Sequence, residues 1–215
     1  MTITVHHLEN SRSQRVLWLL EELGLPYDVK RYERNKKTML APPELRKVHP
    51  LGKSPVIEDV DAEGKRRVLA ETGAIVEYLV GKSGGRLGAP ADAGDAIRYR
   101  QFLHYAEGSL MPVLFTQLVL SRVPILGRVA LKKFQPMIDV QVNFVEAELA
   151  ARPWFAGPEF TAADVMMSYP LEAGRSRAGI SRETHPRIFG WVDTIQARPA
   201  YRAALARGGR IRLGE

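Results

Sequence analysis

One change in hydrophobic pattern divides this 215-residue chain into two parts. Before about residue 82, short β-branched segments alternate with segments whose apolar residues recur at helical spacing. Beyond residue 90 only the helical spacing continues, and the stretch between the two parts, KSGGRLGAP, is dense in glycine, serine and proline. We therefore expect two domains of different class, at residues 1–82 and 92–215, joined by a linker at 83–91.

The first part contains four predicted strands and three predicted helices. Strands are expected at 2–7, 26–32, from Pro55 to about 57, and 67–70, and helices at 11–23, after Pro42, and 72–80. Ser11 and Gln14 have the spacing of a capping box at the start of the first helix. The resulting order, β-α-β-α-β-β-α, is that of a thioredoxin-like domain.

The second part contains only predicted helices. Two long helices are expected, from Ala93 to about residue 120 and from Ile125 to about residue 150. Thr161 is the expected cap of a third helix, and a break at Arg198-Pro199 divides the last pair. The fold class expected from the whole chain is a thioredoxin-like α/β domain followed by an all-helical domain.

Composition excludes several kinds of chemistry. The chain has no cysteine, which rules out disulfides, thiolate-bound zinc and a protein thiol as nucleophile. Its net charge of +7 comes from scattered basic residues, a pattern that suits anionic small ligands better than nucleic acid. Because the sequence has neither a long apolar run nor a signal-peptide pattern, we expect a cytoplasmic protein that binds no membrane.

Five segments, in this order, resemble the cytosolic glutathione transferases, most closely a bacterial and fungal branch: SRSQRVLWLLEELGLPY, APPELRKVHPLGKSPVIE, LAETGAIVEYL, YAEGSL and FTAADVMMSYPL. The similarity extends from about Ile3 to about Ala206. It implies an enzyme that uses glutathione as co-substrate, without a metal, and conjugates it to small hydrophobic electrophiles in detoxification. It also implies a two-fold homodimer, with the 72–80 helix and the first long helix at its interface.

The same resemblance implies which residues bind glutathione. Pro55 is expected in the cis form, with backbone groups of Ser54 pairing with the cysteinyl part of the tripeptide. Lys53 is expected to meet the glycyl carboxylate, although a solvated lysine also fits. Thr72 is expected to bind the γ-glutamyl carboxylate and Glu71 the amine, although a plain helix cap also fits these two residues.

A glutathione transferase must lower the pKa of the glutathione thiol, which is near 8.5 in water. The first tyrosine, Tyr27, lies beyond the first helix, and no cysteine exists, so Ser11, Ser13 and Asn10 remain as candidates. We favour Ser11 as the catalytic hydrogen-bond donor because it matches the serine of the family segment and lies where the first strand gives way to a helix. Arg15, one helical turn later, is expected to favour the thiolate electrostatically or to form a surface salt bridge.

Other residues and functions are less defined by the sequence. Tyr105 is the single candidate for the electrophile site, because an aromatic ring with a polar tip can stack on a substrate and donate to it. Thr161 and Asp164 resemble the capping box of the family and are expected to be structural. Glutathione-dependent peroxide reduction remains an alternative activity. A binding or regulatory protein without turnover remains an alternative to an enzyme.

Overall fold

The structure is a computed structural model that describes residues 2–175 and 179–209. These residues form two compact units, one made of residues 2–88 together with 197–209 and the other of residues 89–196. The ends of the expected domains at residues 1 and 210–215 lie outside the described residues.

A four-stranded mixed sheet forms the centre of the first unit. Its strand order is β2-β1-β3-β4, with β1 and β2 parallel and β3 antiparallel to both of its neighbours. The strands are β1 (Thr2–Leu8), β2 (Tyr27–Tyr32), β3 (Val56–Val60) and β4 (Arg66–Ala70). β1 lies inside the sheet, and its Ile3, Val5 and Leu8 are buried, as expected for a central strand.

Helices α1 (Ser13–Leu23), α2 (Leu45–Val48) and α3 (Thr72–Lys82) complete the expected β-α-β-α-β-β-α order. The expected fold class of this domain is confirmed. In α1 every residue from Val16 to Leu20 is buried, because the helix is covered on more than one side. One side faces the sheet and α3, and the other faces the last helix of the chain.

Helix α9 (Pro199–Gly208) belongs to the first unit, whereas the expected domain boundaries placed it in the second domain. Its Tyr201 ring packs edge-on against Trp18 of α1, with ring centroids 5.2 Å apart. Arg198, just before α9, makes a two-point ion pair with Glu22 at 2.6 and 2.9 Å. The helical pattern of α9 could not show its location, because an apolar face does not specify which surface covers it.

All the regular elements in the described residues of the second unit are helices, as predicted. Its elements are α4 (Ala93–Tyr105), a π-helical turn (Ala106–Leu110), α5 (Met111–Ser121), α6 (Leu126–Ala151), α7 (Ala162–Arg175) and α8 (Pro186–Ala197). The first expected long helix is thus two α-helices joined by a π-turn. Phe102 packs against Phe155 with ring centroids 4.8 Å apart, and Phe155 packs against Trp191 at 5.2 Å. Across the described part of the chain, the helices are too short or too polar to cross a bilayer.

Candidate functional site

The loops that carry the predicted site residues meet at one end of the sheet. His6 near the end of β1 pairs with Val56 at the start of β3, and Val56 pairs with Ala70 at the end of β4. The chain leaves β1 toward Ser11, and it enters β3 from Ser54 and leaves β4 toward Glu71. Strand register therefore brings together three segments that lie up to 60 residues apart in the sequence.

The turn before β3 is tied to the end of β1 by a serine. The Ser54 hydroxyl donates to the His6 carbonyl at 2.8 Å and accepts from the Leu8 N–H at 3.2 Å. The peptide bond from Ser54 to Pro55 is cis, as the family resemblance implied. Because these side-chain bonds fix the turn, its backbone is held beside the end of β1.

Lys53 is exposed at the top of this turn, next to Gly52. The φ of Gly52 is 58°, in the left-handed region, and a Cβ there would lie 2.6 Å from Cγ of Arg46. Glycine is therefore the residue that this backbone path accommodates. The geometry leaves the Lys53 side chain at the surface of the first unit.

The segment after β4 has an unusual backbone. Glu71 is exposed and has φ 69° and ψ 120°, which is costly for a residue with a side chain. Its carbonyl accepts from the N–H of Ile75, so it caps α3 through the backbone, and its side chain makes no capping bond. Thr72 follows as the first residue of α3 and is 4% exposed.

Arg15 is buried and does not lie at the surface of the first unit. It is 1% exposed, and its Nη2 donates to the Thr72 hydroxyl at 3.4 Å. The alternative prediction, that Arg15 forms a surface salt bridge, is therefore wrong, because the first turn of α1 packs against the start of α3 instead of facing solvent. This contact joins the helix after β1 to the helix after β4 behind the site.

The loop between β1 and α1 is held by Arg34, a residue that belongs to no motif recognised in the sequence. Its Nε donates to the Glu9 carbonyl at 3.1 Å and its Nη2 to the Asn10 carbonyl at 3.1 Å. Asn10 has φ 49°, a conformation that asparagine tolerates better than most residues. Asn10 therefore serves as the bend of this loop, just before Ser11.

Ser11 does not form the predicted capping box. Helix α1 begins two residues later, with Arg12 as its N-cap and no side-chain capping bond. The Ser11 hydroxyl oxygen instead accepts the N–H of Ser13 at 3.2 Å, and the Ser11 carbonyl accepts the N–H of Gln14 at 3.3 Å. Because the loop turns back on itself at Ser11, the serine belongs to the loop and not to the helix.

The two candidate serines differ in accessibility. Ser11 is 5% exposed, whereas Ser13 is 0% exposed. Their hydroxyl oxygens lie 2.7 Å apart, and the Ser13 hydroxyl also lies 2.8 Å from Nδ1 of His7. Both serines are therefore buried, and of the two Ser11 keeps the small remaining exposure.

The two histidines of β1, to which sequence reasoning assigned no role, have separate partners on opposite faces of the strand. His6 lies 2.8 Å from the Tyr32 hydroxyl and 3.1 Å from a Glu58 carboxylate oxygen. His7 lies between Ser13 and Gly208, which is at the end of α9. Nε2 of His7 is 2.9 Å from the carbonyl oxygen of Gly208. Burial is the main cause that lowers the pKa of both imidazoles. Strand alternation was the only signal, and it did not tell which histidine faces the site.

Two further predicted residues belong to the second unit. The Tyr105 hydroxyl donates to Oε1 of Gln141 at 2.6 Å. Burial raises the pKa of this tyrosine. Asp164 accepts the backbone N–H of Thr161 at 2.9 Å and that of Phe155 at 3.0 Å, as a structural capping residue should. Among the residues described, no three histidine, aspartate or glutamate side chains are grouped so that they could hold a metal ion.

Comparison with known proteins gives matches along most of the chain. The family model for the glutathione S-transferase N-terminal domain matches residues 11–81, and that for the C-terminal domain matches residues 115–199. Glutathione S-transferase 1 of Saccharomyces cerevisiae is 37% identical, over 94% of this chain and 93% of its own. A crystal structure of a glutathione S-transferase from Actinobacillus pleuropneumoniae is 32% identical with TM-score 0.87, covering 99% and 96% of the two chains. A family member from Pseudomonas fluorescens, with two glutathione bound, is 25% identical with TM-score 0.78, covering 94% and 92%.

Proposed function

Because this chain belongs to the glutathione S-transferase family, we propose that it binds glutathione at the sheet end described above and conjugates it to small electrophiles. Ser11 donates a hydrogen bond to the glutathione sulfur and favours its thiolate form. The thiolate is the nucleophile, and Ser11 forms no covalent bond. The residual exposure of Ser11, beside a fully enclosed Ser13, is the observation that carries this assignment.

The size of the required effect is modest. Lowering the thiol pKa by two units from about 8.5 needs roughly 3 kcal/mol of preference for the anion. A hydrogen bond to a charged acceptor contributes about 1.5–3 kcal/mol. The Ser11 hydroxyl can thus supply most of this preference, with the positive end of α1 as a smaller addition.

The other proposed binding residues match the charges of glutathione. The tripeptide has two carboxylates and one ammonium group besides its thiol. Lys53 is an exposed cation suited to the glycyl carboxylate, and Glu71 is an exposed anion suited to the ammonium. The N-terminus of α3 at Thr72 suits the γ-glutamyl carboxylate. Backbone groups of Ser54 would pair with the cysteinyl residue as an added strand does.

Tyr105 remains our proposed residue for the electrophile. Its hydroxyl is engaged by Gln141, so we propose that the ring, and not the hydroxyl, contacts an apolar substrate. The homodimer and the cytoplasmic location also remain proposals, supported by membership of the family. The Pseudomonas fluorescens family member with two glutathione bound supports the choice of co-substrate.

The proposal is tested by adding glutathione to the protein and following thiolate absorbance against pH. We expect a thiolate that titrates below the pKa of free glutathione, and conjugation of an aryl halide at neutral pH. A matched assay with an organic hydroperoxide separates conjugation from peroxide reduction. If glutathione binds but neither assay shows turnover, the protein is a binding protein of this fold, and the proposed function is wrong.

A further inference from the structure

The Ser13 hydroxyl has one hydrogen and three polar neighbours. Its oxygen lies 2.7 Å from the Ser11 hydroxyl, 2.8 Å from Nδ1 of His7 and 3.3 Å from the carbonyl oxygen of Leu8. The carbonyl can only accept, and Nδ1 accepts or donates according to the protonation of the ring. The use of this single hydrogen therefore decides where the hydrogen of Ser11 points.

Gly208 fixes the starting state of the imidazole. Its carbonyl lies 2.9 Å from Nε2 of His7, and since a carbonyl only accepts, Nε2 carries a hydrogen. A neutral imidazole has one N–H, so Nδ1 is then an acceptor. Ser13 donates to Nδ1, and the contact between the two serines is completed by donation from Ser11 to Ser13. With neutral His7, the only hydroxyl hydrogen of Ser11 is directed into the protein.

This arrangement conflicts with a thiolate. A thiolate needs the Ser11 hydrogen, and turning it outward leaves the single Ser13 hydrogen to serve both the Ser11 oxygen at 2.7 Å and Nδ1 of His7 at 2.8 Å, so one of these contacts has no hydrogen between its atoms. A doubly protonated His7 removes the conflict, because Nδ1 then donates to Ser13, Ser13 to Ser11, and Ser11 to the sulfur. The second lone pair of Ser11 is already used by the N–H of Ser13 at 3.2 Å. Each hydroxyl then donates one hydrogen bond, and the Ser11 oxygen accepts two.

We infer that His7 receives, through Ser13 and Ser11, the proton that leaves the glutathione thiol; the inference rests on the proposed function. The S–H bond breaks, and the sulfur keeps the electron pair. The proton binds the Ser11 oxygen, the former hydrogen of Ser11 moves to Ser13, and that of Ser13 moves to Nδ1 of His7. The products are a thiolate and an imidazolium, so the net charge of the site is unchanged. His7 touches no substrate and acts as a positioning residue.

The surroundings of His7 allow this switch. The ring is 3% exposed, and burial is the main cause that lowers its pKa, so it is neutral before the thiolate forms. Its hydrogen bond to Gly208 and the charge of Glu9 raise the pKa, whereas Arg31 on β2 lowers it. The residues that contact it from α1 and α9, Ser13 and Gly208, are uncharged. A new anion at the sulfur adds attraction for the imidazolium.

The test counts protons released when glutathione binds. Calorimetric titration near neutral pH, in buffers that differ in ionisation enthalpy, gives the proton count, and thiolate absorbance on the same samples gives the amount of thiolate. For the wild-type protein we expect thiolate with almost no proton release. Release of one proton for every thiolate would overturn the inference and leave the proposed function intact. Binding without thiolate would overturn the proposed function, and this inference with it.

Two substitutions separate proton uptake from a structural role. His7→Gln can keep an N–H for the Gly208 carbonyl, and His7→Asn can keep an oxygen that accepts from Ser13, but neither amide takes up a proton. We expect both variants to bind glutathione with affinity within about threefold of wild type, to have about tenfold less thiolate, and to release one proton for each thiolate formed. If either amide restores the wild-type thiolate fraction and proton count, His7 is only structural. Should both variants fail to fold, the wild-type count alone decides.

Discussion

The hydroxyl oxygens of Ser11 and Ser13 lie 2.7 Å apart, yet only Ser11 has any exposed surface. Two serines separated by one residue thus differ in solvent exposure. The surroundings of Ser13 are Ser11, His7 and the backbone, whereas Ser11 is the serine that we propose to contact the glutathione sulfur.

Replacing Ser11 by Ala should raise the apparent pKa of bound glutathione by about one to two units, because a hydrogen bond to the thiolate is lost. Conjugation at neutral pH should fall by about ten- to one-hundredfold, with glutathione affinity largely kept. Thiolate absorbance against pH measures the first effect and aryl-halide conjugation the second. Ser121→Ala, at an exposed serine on α5, is the control and should change neither. An unaltered titration in the Ser11 variant would remove Ser11 from the mechanism.

Replacing Lys53 by Ala should weaken glutathione binding and leave the thiol pKa unchanged. The exposed cation acts on a carboxylate at the far end of the tripeptide, so we expect a loss of about 0.5–1.5 kcal/mol, or roughly two- to tenfold in Kd. The effect should shrink at high salt because the pair is exposed. The control is Lys65→Ala, in the hairpin between β3 and β4, which should bind as wild type does. Equal losses in both variants would point to general charge and not to a site.

Replacing Gly208 by Ala should destabilise the first unit by about 1–3 kcal/mol, because the site has no room for a Cβ. That atom would lie 2.5 Å from Oε1 of Gln14 and 2.6 Å from Cδ1 of Leu17. Urea unfolding measures the change. Gly81→Ala on α3 is the matched control, since a Cβ there meets nothing within 4 Å. It should raise stability by about 0.5–1 kcal/mol, as alanine suits a helix better than glycine. If Gly208→Ala left the free energy of unfolding unchanged, α9 or the side chains packed against it would be able to move enough to accommodate the Cβ.

Asp164 should make the stability of the protein depend on pH. Burial raises its pKa from 3.8 to about 6 in the folded protein. The protonated carboxyl is therefore favoured by folding, so this stabilisation is fully present below about pH 4 and is lost as the pH rises through about 6. The loss is about 3 kcal/mol at most, an order-of-magnitude figure.

Asp164→Asn should remove that dependence between about pH 4 and 6. It should also lower the free energy of unfolding at neutral pH by roughly 1–3 kcal/mol, because an amide has one acceptor oxygen for N–H groups that two carboxylate oxygens now serve. Urea unfolding at several pH values measures both effects. Asp193→Asn, at a side chain 43% exposed, should keep the wild-type pH profile in this range. Identical pH profiles in wild type and the Asp164 variant would contradict the assignment.

Local pattern in the sequence predicted the element order and most element positions. The β-branched segments became strands, and the Thr161 and Asp164 spacing became a capping interaction. These features depend on residues within one or two turns of each other. The capping box predicted from the spacing of Ser11 and Gln14 is wrong, because α1 begins only at Ser13. Arg34 holds the carbonyls of Glu9 and Asn10, so Ser11 stays in the loop before the helix.

What the sequence determined by itself is therefore the local chemistry: the alternation of strands and helices, the lack of any thiol, and the serines that follow β1. Only the tertiary structure decided that Ser13 has no exposed surface while Ser11 keeps 5%, and that His7 lies between Ser13 and Gly208. His7 and Gly208 are 201 residues apart in the chain. Hydrophobic periodicity states that a face is buried but not what buries it, so contacts of this kind follow from packing alone.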